Sequence, residues 1–378
     1  MSKTRILVVD DSVVVRRLLT DLLSQEESCE VVGVVANGKI ALAKIPQVNP
    51  DLVTLDVEMP EMDGLETLAA IRKIYPKLPV IMFSALTERA ADATLKALAL
   101  GATDYVTKPT TTAGKDPMAQ VREQLMPKIR WLAAARAEQR AVTYAAARPV
   151  PSLAPWVAKR VGGAPAPAVV QGGRVEVLAI GCSTGGPNAL AALLPMLPAD
   201  LSVPVMITQH MPPLFTRLLA ERLNAAGPLK VREACAGDLV EPGHIYVAPG
   251  DYHMDVRRDG TVVRIVLHQS PQENSCRPAV DVMLRSIVRV YGAGTLAVIL
   301  TGMGQDGLRG CELVRETGGR VLAQDEASSV VWGMPGAVAK AGHANAVIPI
   351  TAMATEITRH LGAVHKGAPI TRCASVGS

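Results

Sequence analysis

Two groups of residues have the types and spacing for chemistry. The first is acidic: Asp10 and Asp11 end one apolar run, Asp56 ends another, Ser84 follows a further one, and Lys108-Pro109 follows the next. Three carboxylates brought together repel one another unless a cation lies between them. An all-oxygen set favours Mg2+, which needs few protein ligands and shares phosphate oxygens readily. A lysine and a hydroxyl nearby could bind the remaining oxygens of a phosphoryl group. Asp also favours helix N-caps, so each carboxylate alone has a plainer use. What argues for a pocket is that all five positions fall at strand ends.

The second group is nucleophilic. Gly181-Cys182-Ser183-Thr184-Gly185 reads as G-x-S-x-G between an apolar run and a helix opened by Gly186-Pro187,. Glycines allow the sharp turn that exposes a serine, although Gly/Ser-rich turns of this kind also bind phosphate. Cys182 is a rival nucleophile, but an extended turn points it away from Ser183, toward the core. A serine needs a base and a group to orient that base. Of seven histidines, His210 alone follows a buried-type run. His360 and His365 belong to the last helix and tail, His343 to a polar loop, and His244, His253 and His268 to strand surfaces. Asp306 follows another buried-type run in TGMGQDG. Taken alone it reads as an N-cap; with Ser183 and His210 it completes a relay. Glycines around Met303 leave its backbone N–H free to face an oxyanion. The chain order Ser, His, Asp differs from that of α/β-hydrolases, which run Ser, Asp, His.

These residues must be positioned by two α/β units. In the first, apolar runs at 5–9, 30–35, 52–55, 80–83 and 104–106 alternate with helical patterns such as 12–23, with Ser12 as N-cap,. This predicts a doubly wound (βα)5 domain over residues 1–125. In the second, residues 174–365, near-continuous runs at 175–180, 203–208 and 295–300 predict strands buried on both faces of a mostly parallel, doubly wound sheet,. Between 243 and 267, HIYVAPG and TVVRIVLH predict a β-hairpin insertion,. The Ala-, Arg- and Pro-rich residues 126–173 predict a linker into which the preceding helix runs,. In a doubly wound sheet, carboxyl-end positions converge on one crevice.

Composition excludes several classes. The 378 residues suffice for two or three domains, and 49% hydrophobic with 20% charged residues is ordinary for globular proteins,. A net charge of +4, with no Lys/Arg stripe interleaved with aromatics, argues against nucleic-acid binding; Arg16-Arg17 reads as a solvated helix face,. Six cysteines without C-x-x-C spacing point to a reducing compartment,. No apolar run approaches the roughly 18 residues of a membrane span, and no signal stretch follows Met1,. A cytoplasmic protein without direct membrane insertion is expected.

The first unit resembles response-regulator receiver domains through VVDDS, TLDVEMPEMDG, FSA and the Thr-Lys-Pro after Asp104-Tyr105. The resemblance implies that Asp56 accepts a phosphoryl group from a cognate histidine kinase. Asp10, Asp11, Asp56 and the Glu58 main-chain carbonyl would hold Mg2+, with Ser84, Lys108 and Tyr105 as switch residues. The second unit resembles the catalytic domain of the protein-glutamate methylesterases of bacterial chemotaxis. The resemblance rests on GCSTGGP, ITQHMP, PGHIYVAPGDYHM, RPAVDVM, ILTGMGQDG and QDEASSVVWGMP. It implies cofactor-free hydrolysis of glutamate γ-methyl esters on methyl-accepting chemoreceptors, and deamidation of selected glutamines. The unphosphorylated receiver is expected to pack over the Ser183 crevice.

Overall fold

The computed structural model describes residues 3–109, 116–146 and 173–362. The first unit runs β1 (Thr4–Val9), α1 (Val13–Ser24), β2 (Cys29–Val35), α2 (Gly38–Val48), β3 (Leu52–Asp56), α3 (Gly64–Ile74), β4 (Val80–Ser84), α4 (Glu88–Ala99), β5 (Asp104–Thr107) and α5 (Pro117–Ala146). Its five parallel strands lie in the order β2-β1-β3-β4-β5. β3, β4 and β5 are buried throughout, as two-faced strands must be. Local signals set the helix starts. Ser12 caps α1, and Asp63 and Glu66 form a reciprocal capping box on α3,. Helix α5 continues to Ala146, so the segment read as a linker begins helical; residues 147–172 lie outside the described residues.

The second unit comprises β6 (Val177–Cys182), α6 (Gly186–Leu193), β7 (Val205–Gln209), α7 (Phe215–Ala226), β8 (Lys230–Glu233), β9 (His244–Val247), β10 (His253–Asp259), β11 (Val262–His268) and α8 (Val280–Tyr291). β12 (Thr295–Ile299), α9 (Leu308–Glu316), β13 (Arg320–Gln324), α10 (Met334–Lys340), β14 (Ala346–Ile348) and α11 (Ile350–Gly362) complete it. The main sheet has seven strands in the order β14-β13-β12-β6-β7-β9-β8, every neighbouring pair parallel. β10 and β11 form a separate antiparallel pair. The expected hairpin insertion is therefore present, but HIYV is not part of it: this stretch is β9, hydrogen-bonded between β7 and β8. No helix among the described residues is long and apolar enough to cross a membrane.

The two units meet along α4 and β5 of the first and α6 and α7 of the second. Tyr105 stacks on Phe215 with ring centroids 4.7 Å apart and planes 11° from parallel. Thr184 Oγ1 donates to Asp104 Oδ2 at 2.5 Å, and Asn188 Nδ2 donates to the Leu98 carbonyl at 2.6 Å. Arg217 pairs with Glu88 at 2.7 Å, and Arg222 donates to the Leu95 carbonyl. Leu98, Tyr105, Phe215 and Leu219 belong to one buried apolar cluster spanning both units.

Candidate functional site

In the first unit the chain passes from β1 outward to β2 and returns on the other side as β3, so the sheet order switches between β1 and β3. Ligands bind at such switch points, and Asp10 and Asp56 lie there. Asp10, Asp11 and Asp56 each offer an oxygen, the three within 4.8 Å of one another. Lys108 Nζ sits 3.2 Å from Asp10 Oδ2 and 2.8 Å from Asp56 Oδ2. Burial pushes the Asp56 carboxyl up to about 6 against the pull of Lys108, and burial also raises Asp10. Both are almost fully buried. A compact all-oxygen set with one ammonium group fits Mg2+ and a phosphoryl group. Arg16 is not merely solvated: its guanidinium donates to the carbonyls of Asp10 and Asp11 at 2.7 and 2.8 Å, fixing the loop that carries them. A Cβ at Gly64 would strike the Asp56 carbonyl, so glycine is required beside the strand that ends in Asp56.

Ser84 and Tyr105, read from the sequence as switch residues, connect to the elements at the domain boundary. Buried Ser84 accepts from Thr94 Oγ1 at 2.7 Å and lies 3.2 Å from the Ala90 carbonyl, linking β4 to α4. Tyr105 is buried against Phe215, with Lys128 Nζ 5.6 Å from its ring centre.

In the second unit the switch lies between β6 and β12. Ser183 follows β6, His210 follows β7 and Asp306 lies in the loop after β12. His210 Nε2 is 2.8 Å from Asp306 Oδ2, with both side chains largely buried. That contact leaves Nδ1 as the free ring nitrogen, and it faces Cys276 Sγ at 3.5 Å. Asp306 is anchored by the backbone N–H groups of Val280 (2.6 Å), Asp281 (3.0 Å) and Gly307 (3.0 Å). Burial would raise its pKa, but His210 and these donors outweigh burial and lower it,. For His210, burial would lower the pKa; Cys276 and Asp306 outweigh it and push the imidazole up to about 10.

Ser183 is half-buried on its turn. Its N–H donates to the Thr301 carbonyl at 3.1 Å, and its carbonyl accepts from Gln209 Nε2 at 3.0 Å. Gln209 also donates to the His210 carbonyl at 3.2 Å, tying the ends of β6 and β7 together. The structure thus pairs His210 with Asp306 and places Ser183 at the adjoining strand end, where the His210 backbone N–H donates to the Cys182 carbonyl at 3.2 Å, while the second His210 ring nitrogen contacts Cys276. Cys182 is fully buried, and burial raises its thiol pKa, as expected of a packing residue. Around Met303 the chain is drawn close to Ser183: a Cβ at Gly302 would strike Met334 Sδ and press on Ser183 Cβ. The Gly302 carbonyl accepts from Gly333 and Met334, which orients the loop carrying the Met303 N–H.

One histidine departs from its sequence reading. His253 is completely buried rather than a strand-surface residue. Its Nε2 lies 3.1 Å from the Pro271 carbonyl, and its Nδ1 accepts from the Ala279 N–H at 3.3 Å, holding the loop before α8. That loop supplies two residues near the crevice that sequence reasoning missed, Asn274 and Cys276.

Fold and sites together define a response regulator whose output module is an ester hydrolase built on a doubly wound parallel sheet. Residues 6–114 match the model described as response regulator receiver domain, and residues 178–357 that described as CheB methylesterase. A protein-glutamate methylesterase/protein-glutamine glutaminase of Trichodesmium erythraeum is 52% identical over 96% of this chain and 100% of its own length. One from a Nocardioides species is 52% identical over 96% of both chains. Among solved structures, the Thermotoga maritima CheB methylesterase catalytic domain is 42% identical, covering 48% of this chain and 97% of its own, with TM-score 0.48. The chain belongs to the protein-glutamate methylesterase/protein-glutamine glutaminase family.

Proposed function

We propose that this chain is a cytoplasmic enzyme that hydrolyses glutamate γ-methyl esters on chemoreceptors and deamidates selected receptor glutamines. Phosphorylation of Asp56 by a histidine kinase controls it. Residues 1–125 act as receiver, 126–173 as linker and 174–365 as catalytic domain. The observation that carries the chemistry is the 2.8 Å pairing of His210 with Asp306 beside the Ser183 turn; family membership supplies the substrate class.

Once Cys276 withdraws from Nδ1, the contact that most raises the His210 pKa is gone. Ser183 Oγ then attacks the ester carbonyl while neutral His210 takes its proton on Nδ1, and Asp306 steadies the imidazolium through Nε2. The Met303 N–H donates to the oxyanion. Methanol leaves with the proton returned by His210, and a water deprotonated by His210 then opens the acyl-enzyme, giving glutamate. No cofactor enters these steps. Restoring a carboxylate on a receptor helix changes its repulsion with neighbouring charges, which tunes signalling.

In the closed arrangement His210 Nδ1 faces Cys276, and the receiver hydrogen-bonds to Thr184, next to the nucleophile. Both features fit a resting form. In the receiver, Asp10, Asp11, Asp56 and the Glu58 carbonyl would hold Mg2+, which neutralises the acidic cluster and binds phosphoryl oxygens. Lys108 reaches the phosphoryl group on Asp56. Ser84 and Tyr105 pass the change to α4 and β5, which bear the contacts to α6 and α7. The deciding test is methanol release from methyl-esterified receptor, with and without a small phosphodonor. Release that is absent in wild type, or that survives Ser183→Ala, would refute the proposal.

A further inference from the structure

Behind the His210–Asp306 pair lies a second buried carboxylate, Asp281, on the first turn of α8. Between the two sits Asn274. Its Nδ2 is 2.9 Å from Asp306 Oδ1 and 3.0 Å from Asp281 Oδ2. An amide NH2 carries two protons, so this one nitrogen can donate to both carboxylates at once. The backbone pays for the placement, since Asn274 and Ser275 both adopt left-handed φ, 52° and 60°,. The loop is pinned on several sides. Glu273 makes two 2.6 Å contacts with Arg285, Arg277 reaches Asp251 at 2.6 Å, and His253 holds Pro271 and Ala279. None of these bonds is explained by the hydrolytic steps themselves.

We infer that Asn274 is a positioning residue for the reaction proposed above, clamping Asp306 between His210 and the buried carboxylate of Asp281 so that Asp306 stays ionised and aimed at His210. The inference rests on that proposal for its reaction. Among the described residues Asp281 has Asn274 and the Gly310 N–H (2.7 Å) as its donors, and burial pushes it up to about 6. Asp306 has more donors and is lowered, so a proton entering the pair goes to Asp281. The charged and titratable groups facing this cluster are His210 after β7, Glu273 and Cys276 on the loop, Arg285 on α8 and Cys311 on α9.

The test compares Asn274→Ala with Asn274→Asp in the full chain. Asp keeps the shape of Asn but turns a shared donor into a third carboxylate. The primary readout is the rate at which a fluorophosphonate probe labels Ser183; the serine displaces fluoride and its proton passes to His210. Methanol release from methyl-esterified receptor is the second. Asn274→Ala is expected to lower both rates by about tenfold, with KM for receptor changed less than about twofold. Asn274→Asp is expected to be slower still at about pH 8.5, and to recover relative to wild type toward about pH 6 as the cluster gains a proton. A loop-shaping role alone predicts the opposite order, Asp better than Ala. That order, or wild-type labelling of Asn274→Ala, overturns the inference. Should thermal melts show that Asn274→Asp does not fold, Asn274→Leu, similar in size without donor or charge, takes its place and must match Ala. Wild type that labels but releases no methanol refutes the ester substrate and leaves the labelling comparison to judge Asn274. Wild type that does not label Ser183 overturns both.

Discussion

Replacing Asp104 by Ala perturbs the boundary between the domains without changing any residue of the catalytic unit. Asp104 Oδ2 accepts from Thr184 Oγ1 at 2.5 Å and pairs with Lys128 Nζ at 2.6 Å. A hydrogen bond to a charged group contributes about 1.5–3 kcal/mol. Its loss therefore raises the open-to-closed ratio by roughly 10- to 150-fold, at 1.4 kcal/mol per factor of ten. Lys128 adds to the effect in the same direction, because its ammonium, stranded in the closed form, regains water in the open one. Activity on receptor rises by that factor only until the open form dominates, so the gain is capped by how closed wild type is. The assay is methanol release from methyl-esterified receptor by unphosphorylated full-length protein, beside wild type with and without a small phosphodonor. The variant is expected to approach the phosphorylated wild-type rate. If the phosphodonor activates wild type while unphosphorylated Asp104→Ala stays as slow as wild type, this contact does not hold the closed form and the reasoning fails.

Ser183→Ala and His210→Ala should each lower methanol release by about a thousandfold or more, while Cys182→Ala, a packing change, keeps most activity; an active Ser183→Ala enzyme contradicts the serine mechanism. Asp56→Asn should abolish labelling by a phosphodonor and stabilise the fold near neutral pH. The Asp56 pKa is raised from 3.8 to about 6, so its stabilising contribution is fully present below about pH 3.8 and lost as pH rises through about 6. The advantage of Asn in thermal melts should thus grow over that window to about 2–3 kcal/mol; an advantage independent of pH contradicts this account. Gly302→Ala should cut esterase activity by about a hundredfold or more while the protein stays folded, because the new Cβ must displace Met334 or Ser183,; wild-type kinetics would show that the loop tolerates the methyl.

Much of the receiver was legible because β3, β4 and β5 are buried on both faces and its carboxylates stand where such runs stop. The same logic put Ser183, His210 and Asp306 each just past the end of a two-faced run, and the pairing of His210 with Asp306 followed from the fold. Short strands were less legible. HIYV is too short to show a period, with His244 half-buried and the next three residues buried, and only its parallel pairing with β7 and β8 assigns it to the main sheet. Strand β8 is an edge with just Val231 buried, so its four residues carry little pattern. His253 reads as a surface residue until the loop after β11 folds over it. Asn274, Asp281 and Cys276 gather around His210 and Asp306, and Asp104 meets Thr184 across 80 residues. Periodicity records which local face is buried; it holds no information on which distant chain covers that face. Donor and acceptor partners between separate layers exist only once the layers stack, and that stacking was decided by the tertiary structure.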